Sequence, residues 1–490
     1  MASESVEAAV AEARRLAALQ DEHEGANLQA AADRILDLLP RLGDAEKPVA
    51  ARILWRTGLY EAAAALGDLA QLGRYSALHD DGLQLLPLFS RVETDADRLE
   101  LLHQHRLWGE RLEARAAARP IARPARSART AGAPMRLGLL SSDLRRHVVG
   151  YFAHPLFNHL DARFQLYAYS SHRAPAQAAQ QWFASRCAAF RILPPDDREA
   201  AEVIAADDLD MLIDVGGPTA GNRPGVLAHR PAPKQASWLG YPHSLGLSAI
   251  DHMIVDPYLR PSRPELMIET PLSMPASWVA MSPAAFQAEP ALQPAAPCER
   301  AGRITFGTAN DPYKFSPRLL ATWARIVAAV PGSRFMIVRP EAGAAAFRDA
   351  MVRHFAAQGV EAARLDFRPV RGGVRALYGE MDIALDTFPL TGGATTCEAL
   401  WMGVPTVSLV GPALFERLGW SILNNAGLAD LAATTVEDYE RIAVDLAGDP
   451  ARIAALRRTA RERVLAHPLG APRRFARDFY NLVAGALAAG

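Results

Sequence analysis

From Met135 onward the chain alternates short apolar runs with helical stretches, and it does so twice. MRLGLLSSD, FQLYAYSS, LDMLIDVGG, KQASWLGYP and DHMIVD are strand-like runs between 135 and 256. RITFGTAN, RFMIVRP, LDFRPV, DIALDTFP and TVSLVG repeat the pattern between 303 and 411. Strands separated by helices such as PRLLATWARIVAAV need crossover connections, which makes them parallel. A parallel sheet must be covered by helices on both faces, so the class is α/β. Two such units are expected, 135–270 and 303–465, joined by a proline-rich connector over 271–302. RRFARDFYNLVAGALAAG, within 466–490, reads as a closing helix. Ligands of such sheets sit outside the carboxyl ends of the strands, so a cleft between the units is the expected site.

Residues 1–115 read differently. AEARRLAALQ, LQAAADRILDLLPRL, VAARILWRTGLYEAAAALGDLA and DRLELLHQHRLWGERLEA carry helical spacing and almost no strand signal. An all-α region is expected, either a degenerate tetratricopeptide-type array or a plain bundle, because no period near ~34 residues stands out. The segment 116–134 is rich in Ala, Arg and Pro and reads as a semi-rigid linker.

The chain has 490 residues, a net charge of −1 and 50% hydrophobic residues. That balance gives no general pull toward nucleic acid or an acidic membrane. Cys187, Cys298 and Cys397 are too scattered for a disulfide frame or a Cys-rich metal site. The first twenty residues lack the pattern of a signal peptide, and no uncharged apolar run reaches the ~18 residues of a membrane span. A cytoplasmic protein without a membrane span is expected.

Four clusters carry candidate chemistry. In LDTFPLTGGATTCEALWMGVP a strand passes through Thr391, Gly392, Gly393, Thr395 and Thr396 into a helix. A helix start offers unpaired N–H groups and partial positive charge, glycines allow close approach, and hydroxyls add donors, which together make a phosphate seat. An ordinary N-capped helix after a glycine turn is the plain alternative. Glu398, near that helix start, suits ribose hydroxyls or compensates the helix dipole. In TFGTANDPYKFSPRLL a strand ends at Asn310, and Lys314 stands where it can reach a phosphate. In LGLLSSDLRRHVVGYF, His147 follows a strand end and is a candidate base or hydroxyl ligand. The loop IDVGGPTAGNRPGVLAHRPAPKQASWLGYPHSLG supplies Arg223, Tyr241, Pro242 and His243 as possible substrate contacts. Asp208 and Asp210 form a D-x-D that leads into a strand and reads as a solvated strand start. No HExxH, Walker-type loop or well-placed GxGxxG occurs, which argues against a zincin, a P-loop NTPase and a simple nicotinamide enzyme.

Taken in order, RLGLLSSDLRRH, LAHRPAPKQASWLGYP, NDPYKFSPRLLATWARIVAAVPGSRFMIVR and LDTFPLTGGATTCEALWMGVPTVSL resemble the O-linked N-acetylglucosamine transferase family, which includes SPINDLY-type fucosyltransferases and bacterial relatives. The resemblance covers about 135–480 and implies a GT-B fold of two Rossmann-like domains. It implies inverting, metal-independent transfer of a sugar from a nucleotide sugar, by default UDP-N-acetylglucosamine, to Ser or Thr of an acceptor protein. Helical repeats in front would grip the acceptor. By the same resemblance His147 is the active-site histidine, Lys314 contacts the diphosphate, 391–396 is the diphosphate turn and Glu398 is the ribose acid, with no metal and no other cofactor. Flagellin or another Ser/Thr-rich protein is a candidate acceptor. His147 is the first candidate for general base, with Asp208, Asp210, His243 and a donor phosphate oxygen in reserve.

The chain departs from the family pattern at three places. It reads GYPHSLG where GYPGTSG is common, so His243 and Leu245 alter that wall. Gly393 and Ala394 stand where a histidine often precedes the Thr pair, and Val374 lies in a shortened loop where a base-binding histidine is common. A GDP- or CMP-sugar donor, or a small-molecule acceptor, is the alternative reading; a non-catalytic scaffold is the third.

Overall fold

The computed structural model describes residues 5–21, 23–79, 82–125, 130, 132–173, 177–282, 286 and 292–489. Parts of the expected linker (126–129 and 131) and connector (283–285 and 287–291) lie outside the described residues.

Two all-parallel sheets form the body. The first has seven strands: β1 (Met135–Leu140), β2 (Phe164–Ser170), β3 (Ala189–Ile192), β4 (Met211–Asp214), β5 (Lys234–Ser237), β6 (His252–Val255) and β7 (Thr270–Ser273). They lie in the order β3-β2-β1-β4-β5-β6-β7. The second has β8 (Thr305–Thr308), β9 (Arg334–Val338), β10 (Leu365–Arg368), β11 (Ile383–Leu385), β12 (Thr406–Leu409) and β13 (Ala432–Ala433), in the order β10-β9-β8-β11-β12-β13. Both orders run 3-2-1-4-5-6 through their first six strands, the Rossmann order, whose crevice opens where the order reverses. Those reversals lie between β1 and β4 and between β8 and β11. The two-sheet arrangement is the one that the GT-B expectation requires.

The central strands were legible because they are buried on both faces: every residue of β4 and of β8 is buried. Three short edge strands were not. β3 and β7 lie at the two edges of the first sheet, are half-buried or exposed throughout, and lack an apolar run; β7 carries Pro271, which only an edge tolerates. β13 is an edge of two alanines. As a result the first sheet reaches Ser273, across the expected boundary at 270.

The closing helix, Pro472–Ala488, returns to the first sheet. It buries Phe475, Phe479, Tyr480 and Val483. The Tyr480 hydroxyl donates to Leu156 O at 2.8 Å, and the Phe479 ring lies 5.0 Å from that of Trp238, just beyond β5.

Helices α1 (Val6–Ala17), α2 (Glu24–Leu38), α3 (Lys47–Arg56), α4 (Tyr60–Ala64), α5 (Leu69–Ser76) and α6 (Asp95–Ala118) form the N-terminal region. α1 packs on α2, α3 on α4 and α5 on α6, as in tetratricopeptide hairpins, but their lengths range from 5 to 24 residues, which hides any sequence period. This region bridges both halves. Trp55 Nε1 donates to Phe315 O at 2.7 Å, and Arg98 grips Glu416 with bonds of 2.8 and 2.6 Å, both in the second half. Glu113 accepts from Ser248 Oγ at 2.9 Å and Ala249 N at 3.0 Å in the first.

Candidate active site

The chain leaves β1 through Ser141, Ser142 and Asp143 and enters the helix Val148–Asn158, with His147 as its N-cap. The Val149 N–H donates to His147 Nδ1 at 3.3 Å. Asp143 Oδ1 lies 3.8 Å from the same nitrogen. Burial pushes the imidazole pKa below its usual value; Asp143 opposes that and Arg145 adds to it. The ring is therefore neutral near pH 7, and the Val149 bond places its lone pair on Nδ1 and its proton on Nε2. In this geometry Nε2 carries the proton and is a donor. Asn222, from the loop after β4, locks the turn by accepting from Ser142 N at 2.8 Å and donating to Asp143 Oδ2 at 3.0 Å.

In the second half, β8 ends beside Asn310 and β11 ends beside Asp386. Lys314 Nζ donates to Asn310 Oδ1 at 3.1 Å and to Thr391 O at 3.2 Å. Thr395 Oγ1 donates to the same Asn310 oxygen at 3.0 Å. The lysine and the threonine turn are thus joined through one carbonyl. Burial pushes the Lys314 pKa down, while Asp386 and Asp311 hold it up. The buried Asp386 shapes the turn: its carboxylate accepts from Gly392 N at 2.7 Å, Thr387 N at 2.9 Å and Ser408 Oγ at 2.7 Å. A Cβ at Gly392 would stand 2.5 Å from Thr395 Oγ1 and 2.7 Å from Asp386 Oδ1, so any side chain there would displace these groups. Thr391 Oγ1 donates to Phe415 O at 3.1 Å, and Thr396 Oγ1 to Gly392 O at 3.0 Å, so both hydroxyls are engaged with backbone carbonyls.

A cavity of about 600 Å³ lies between the halves. The first half lines it with Arg145, His147, Tyr241 and Pro242, and the second with Lys314 and Gly393. Tyr241 is held from behind. Its hydroxyl lies 2.7 Å from His105 Nε2 of α6, and His105 Nδ1 is 2.8 Å from Leu101 O.

The remaining expected residues fall outside that lining. Arg223 is tied to Asp197 at 2.8 Å through Nε and to the Pro194 carbonyl, which makes it a brace within the first half rather than a substrate contact. His243 is 2% exposed, with its ring 4.4 Å from His105 and 5.8 Å from Phe415. Burial pushes its pKa down to about 4, so it faces the helical region as a neutral core residue and is no base for the cleft. Asp208 and Asp210 precede β4, at the amino end of the strand, opposite the crevice; Asp210 accepts from Arg136 N at 2.8 Å. Glu398 accepts from Arg375 Nε at 3.2 Å, and burial raises its pKa against the pull of Arg375. Asn310, Gly392 and Thr395 stand behind Lys314 and Gly393 as supports.

Arg145 and Asp386 were missed. Arg145 lines the cavity, with Nε donating to Ser142 O at 3.2 Å and a terminal nitrogen to Asp143 at 3.1 Å. The signal for Asp386 was its place at the carboxyl end of a strand. Gln20 of the helical region also lines the cavity, and nothing local marks it.

The Glycosyl transferase family 41 profile matches residues 114–269 and 299–479. A Hordeum vulgare protein named as a probable UDP-N-acetylglucosamine–peptide N-acetylglucosaminyltransferase SPINDLY is 33% identical over 353 residues, covering 70% of this chain and 37% of its own length. Its Arabidopsis thaliana counterpart is 31% identical over 350 residues, covering 69% and 37%. The chain thus spans little more than a third of these relatives. An O-GlcNAc transferase mutant from Thermobaculum terrenum superposes with a TM-score of 0.69 at 24% identity, over 98% of each chain, and shares the fold. The matched segments hold every strand of the two sheets but the edge strand β7, together with the strand-end loops that carry His147, Lys314 and Gly393 to the cavity, and on that basis the chain belongs to glycosyl transferase family 41.

Proposed function

We propose that this chain transfers a sugar from a nucleotide sugar to Ser or Thr of an acceptor protein, with inversion and without a metal. The observation that carries the reading is the cavity that sets Lys314 and the Gly393 helix entrance against His147 and Arg145. As the acceptor oxygen attacks the anomeric carbon, the bond to the diphosphate breaks and negative charge grows on the leaving oxygens. Fixed donors aimed at that charge lower the barrier most in a site that excludes water. Lys314 supplies a cation, and the helix start supplies N–H groups and its partial charge. The relatives' names supply UDP-N-acetylglucosamine as the default donor. His147 Nε2–H hydrogen-bonds a substrate oxygen, and a phosphate oxygen of the departing diphosphate takes the acceptor's proton.

Glu398 keeps the role of ribose ligand by exchanging Arg375 for ribose hydroxyls. The test is intact mass after incubation of the full chain with UDP-N-acetylglucosamine, or a GDP- or CMP-sugar, and a Ser/Thr-rich protein such as flagellin. A mass increment of one sugar on the acceptor is expected. Hydrolysis of donor with no acceptor labelled by any of them would overturn the protein-acceptor reading.

A further inference from the structure

Arg145 and Arg146 stand between the end of β1 and His147. The backbone presents them through two successive three-residue turns. The Arg145 N–H donates to Asp143 O at 2.8 Å, and the His147 N–H donates to Arg145 O at 2.7 Å. The first turn is centred on Leu144, which is buried, and the second on Arg146, which is exposed. A Cβ at Gly150 would stand 2.4 Å from Arg145 O, so the first turn of the helix Val148–Asn158 lies close against this backbone. Arg145, Arg146 and His147 all line the cavity that Lys314 and Gly393 line from the second half.

Among the described residues, the cations of that lining are Arg145, Arg146, Lys314 and Arg371. Arg145 is paired with Asp143 at 3.1 Å and Arg371 with Glu24 at 2.6 Å. Lys314 Nζ donates to Asn310 Oδ1 and Thr391 O. Arg146 has no hydrogen bond or ion pair among the described residues. Its guanidinium is free to meet a ligand.

The chemistry calls for such a charge. The diphosphate of a nucleotide sugar is already a dianion, and further negative charge develops on a β-phosphate oxygen as its bond to the anomeric carbon breaks. The second half offers the full charge of Lys314 and roughly half a charge at the start of the helix Ala394–Trp401. In the metal-free reading above, the departing group is left short of positive charge. A guanidinium suits that deficit, because its fork can hold two oxygens of one phosphate. An arginine on an open surface is merely solvated; Arg146 stands on the cavity wall beside His147, on the half that faces Lys314.

We propose that Arg146 is a further catalytic residue, whose guanidinium binds the β-phosphate of the donor and stabilises the leaving oxygen, so that a lysine of one half and an arginine of the other hold the departing group between them. The acceptor oxygen bonds to the anomeric carbon, and the electron pair of the broken C–O bond goes to the β-phosphate oxygen. The acceptor's proton follows to a phosphate oxygen, and Arg146 keeps its own protons throughout. This rests on the donor reading above and adds the residue that meets the leaving oxygen.

The test uses the full chain and calorimetric titration with UDP and UMP, or GDP and GMP if the uridine nucleotides do not bind. UMP lacks the β-phosphate. Arg146→Gln is expected to weaken UDP about tenfold and UMP less than about twofold, with an unchanged unfolding temperature. The UDP gap should narrow as salt rises, because the group is exposed. UDP release from saturating UDP-N-acetylglucosamine, whether the sugar passes to water or to a protein, should fall about 10²-fold in Arg146→Gln. Arg146→Lys keeps the charge without the fork and should recover part of both losses. Arg146→Gln that binds UDP like the wild type overturns the proposal and leaves a solvated arginine at the rim. Equal weakening of UDP and UMP also overturns it, because the contact would then be to the α-phosphate. Lys314→Ala is titrated alongside: unchanged binding there, or no nucleotide binding by the wild type, removes the donor reading and this role with it, whereas failure of Arg146→Gln alone leaves the donor reading standing.

Discussion

At the scale of single residues, hydrogen-bond direction sets a protonation pattern that residue type left open. His147 was readable as a site residue because it follows a strand end at a helix start. Its proton position was not readable, because that depends on Val149 N–H reaching Nδ1. His147→Gln keeps a donor but removes any base. It is expected to hold activity within about tenfold of wild type, whereas His147→Ala should lose about 10²–10³-fold in kcat, the usual loss for a removed transition-state donor. Equal loss in both variants, measured with saturating substrates, would restore the base. His243 was misread because glycine- and proline-rich loops often line sites; the ring's burial against α6 comes from a segment far away in sequence. Its folded pKa, about 4, lies below the usual ~6.5 of an exposed imidazole. The unfolded chain therefore takes up the proton first as pH falls, and stability drops between about pH 6.5 and 4, levelling below that. The contribution is about 3 kcal/mol. His243→Phe should flatten this part of a denaturant-midpoint profile against pH, and an unchanged slope would contradict the burial argument.

At the scale of elements, the sequence showed the central strands and one edge, β10, and hid the other three edges. β4 and β8 carry continuous apolar runs because helices cover both sides, whereas β3, β7 and β13 need to satisfy only one neighbour and can be short and polar. The closing helix was visible as a helix, but its destination was not, since only tertiary packing sends it back to the first sheet. Phe479 is fully buried against Trp238 there. Phe479→Ala is expected to cost about 3–5 kcal/mol, the range for a buried aromatic truncated in a core. Chemical denaturation would check it; a loss under ~1 kcal/mol would mean that this helix contributes little to the first half.

At the scale of the molecule, the two Rossmann halves aim their switch-point loops at one cavity, and the helical region is bonded to both of them. The paired halves were legible from the repeated strand–helix pattern. The bridging role of the helices was not, because Trp55, Arg98 and Glu113 meet partners more than a hundred residues away. Gln20, which lines the cavity from the helical region, was hidden for the same reason. Everything functional then turns on whether Lys314 and the glycine turn grip a diphosphate. Calorimetric titration of the wild type and of Lys314→Ala with UDP, and with GDP if UDP fails, addresses that directly. The account predicts binding to the wild type, weakened at least about tenfold in Lys314→Ala with an unchanged unfolding temperature, as expected for the loss of a charge-assisted contact to a phosphate. Equal affinity in the two proteins, or no nucleotide binding by the wild type, would contradict it.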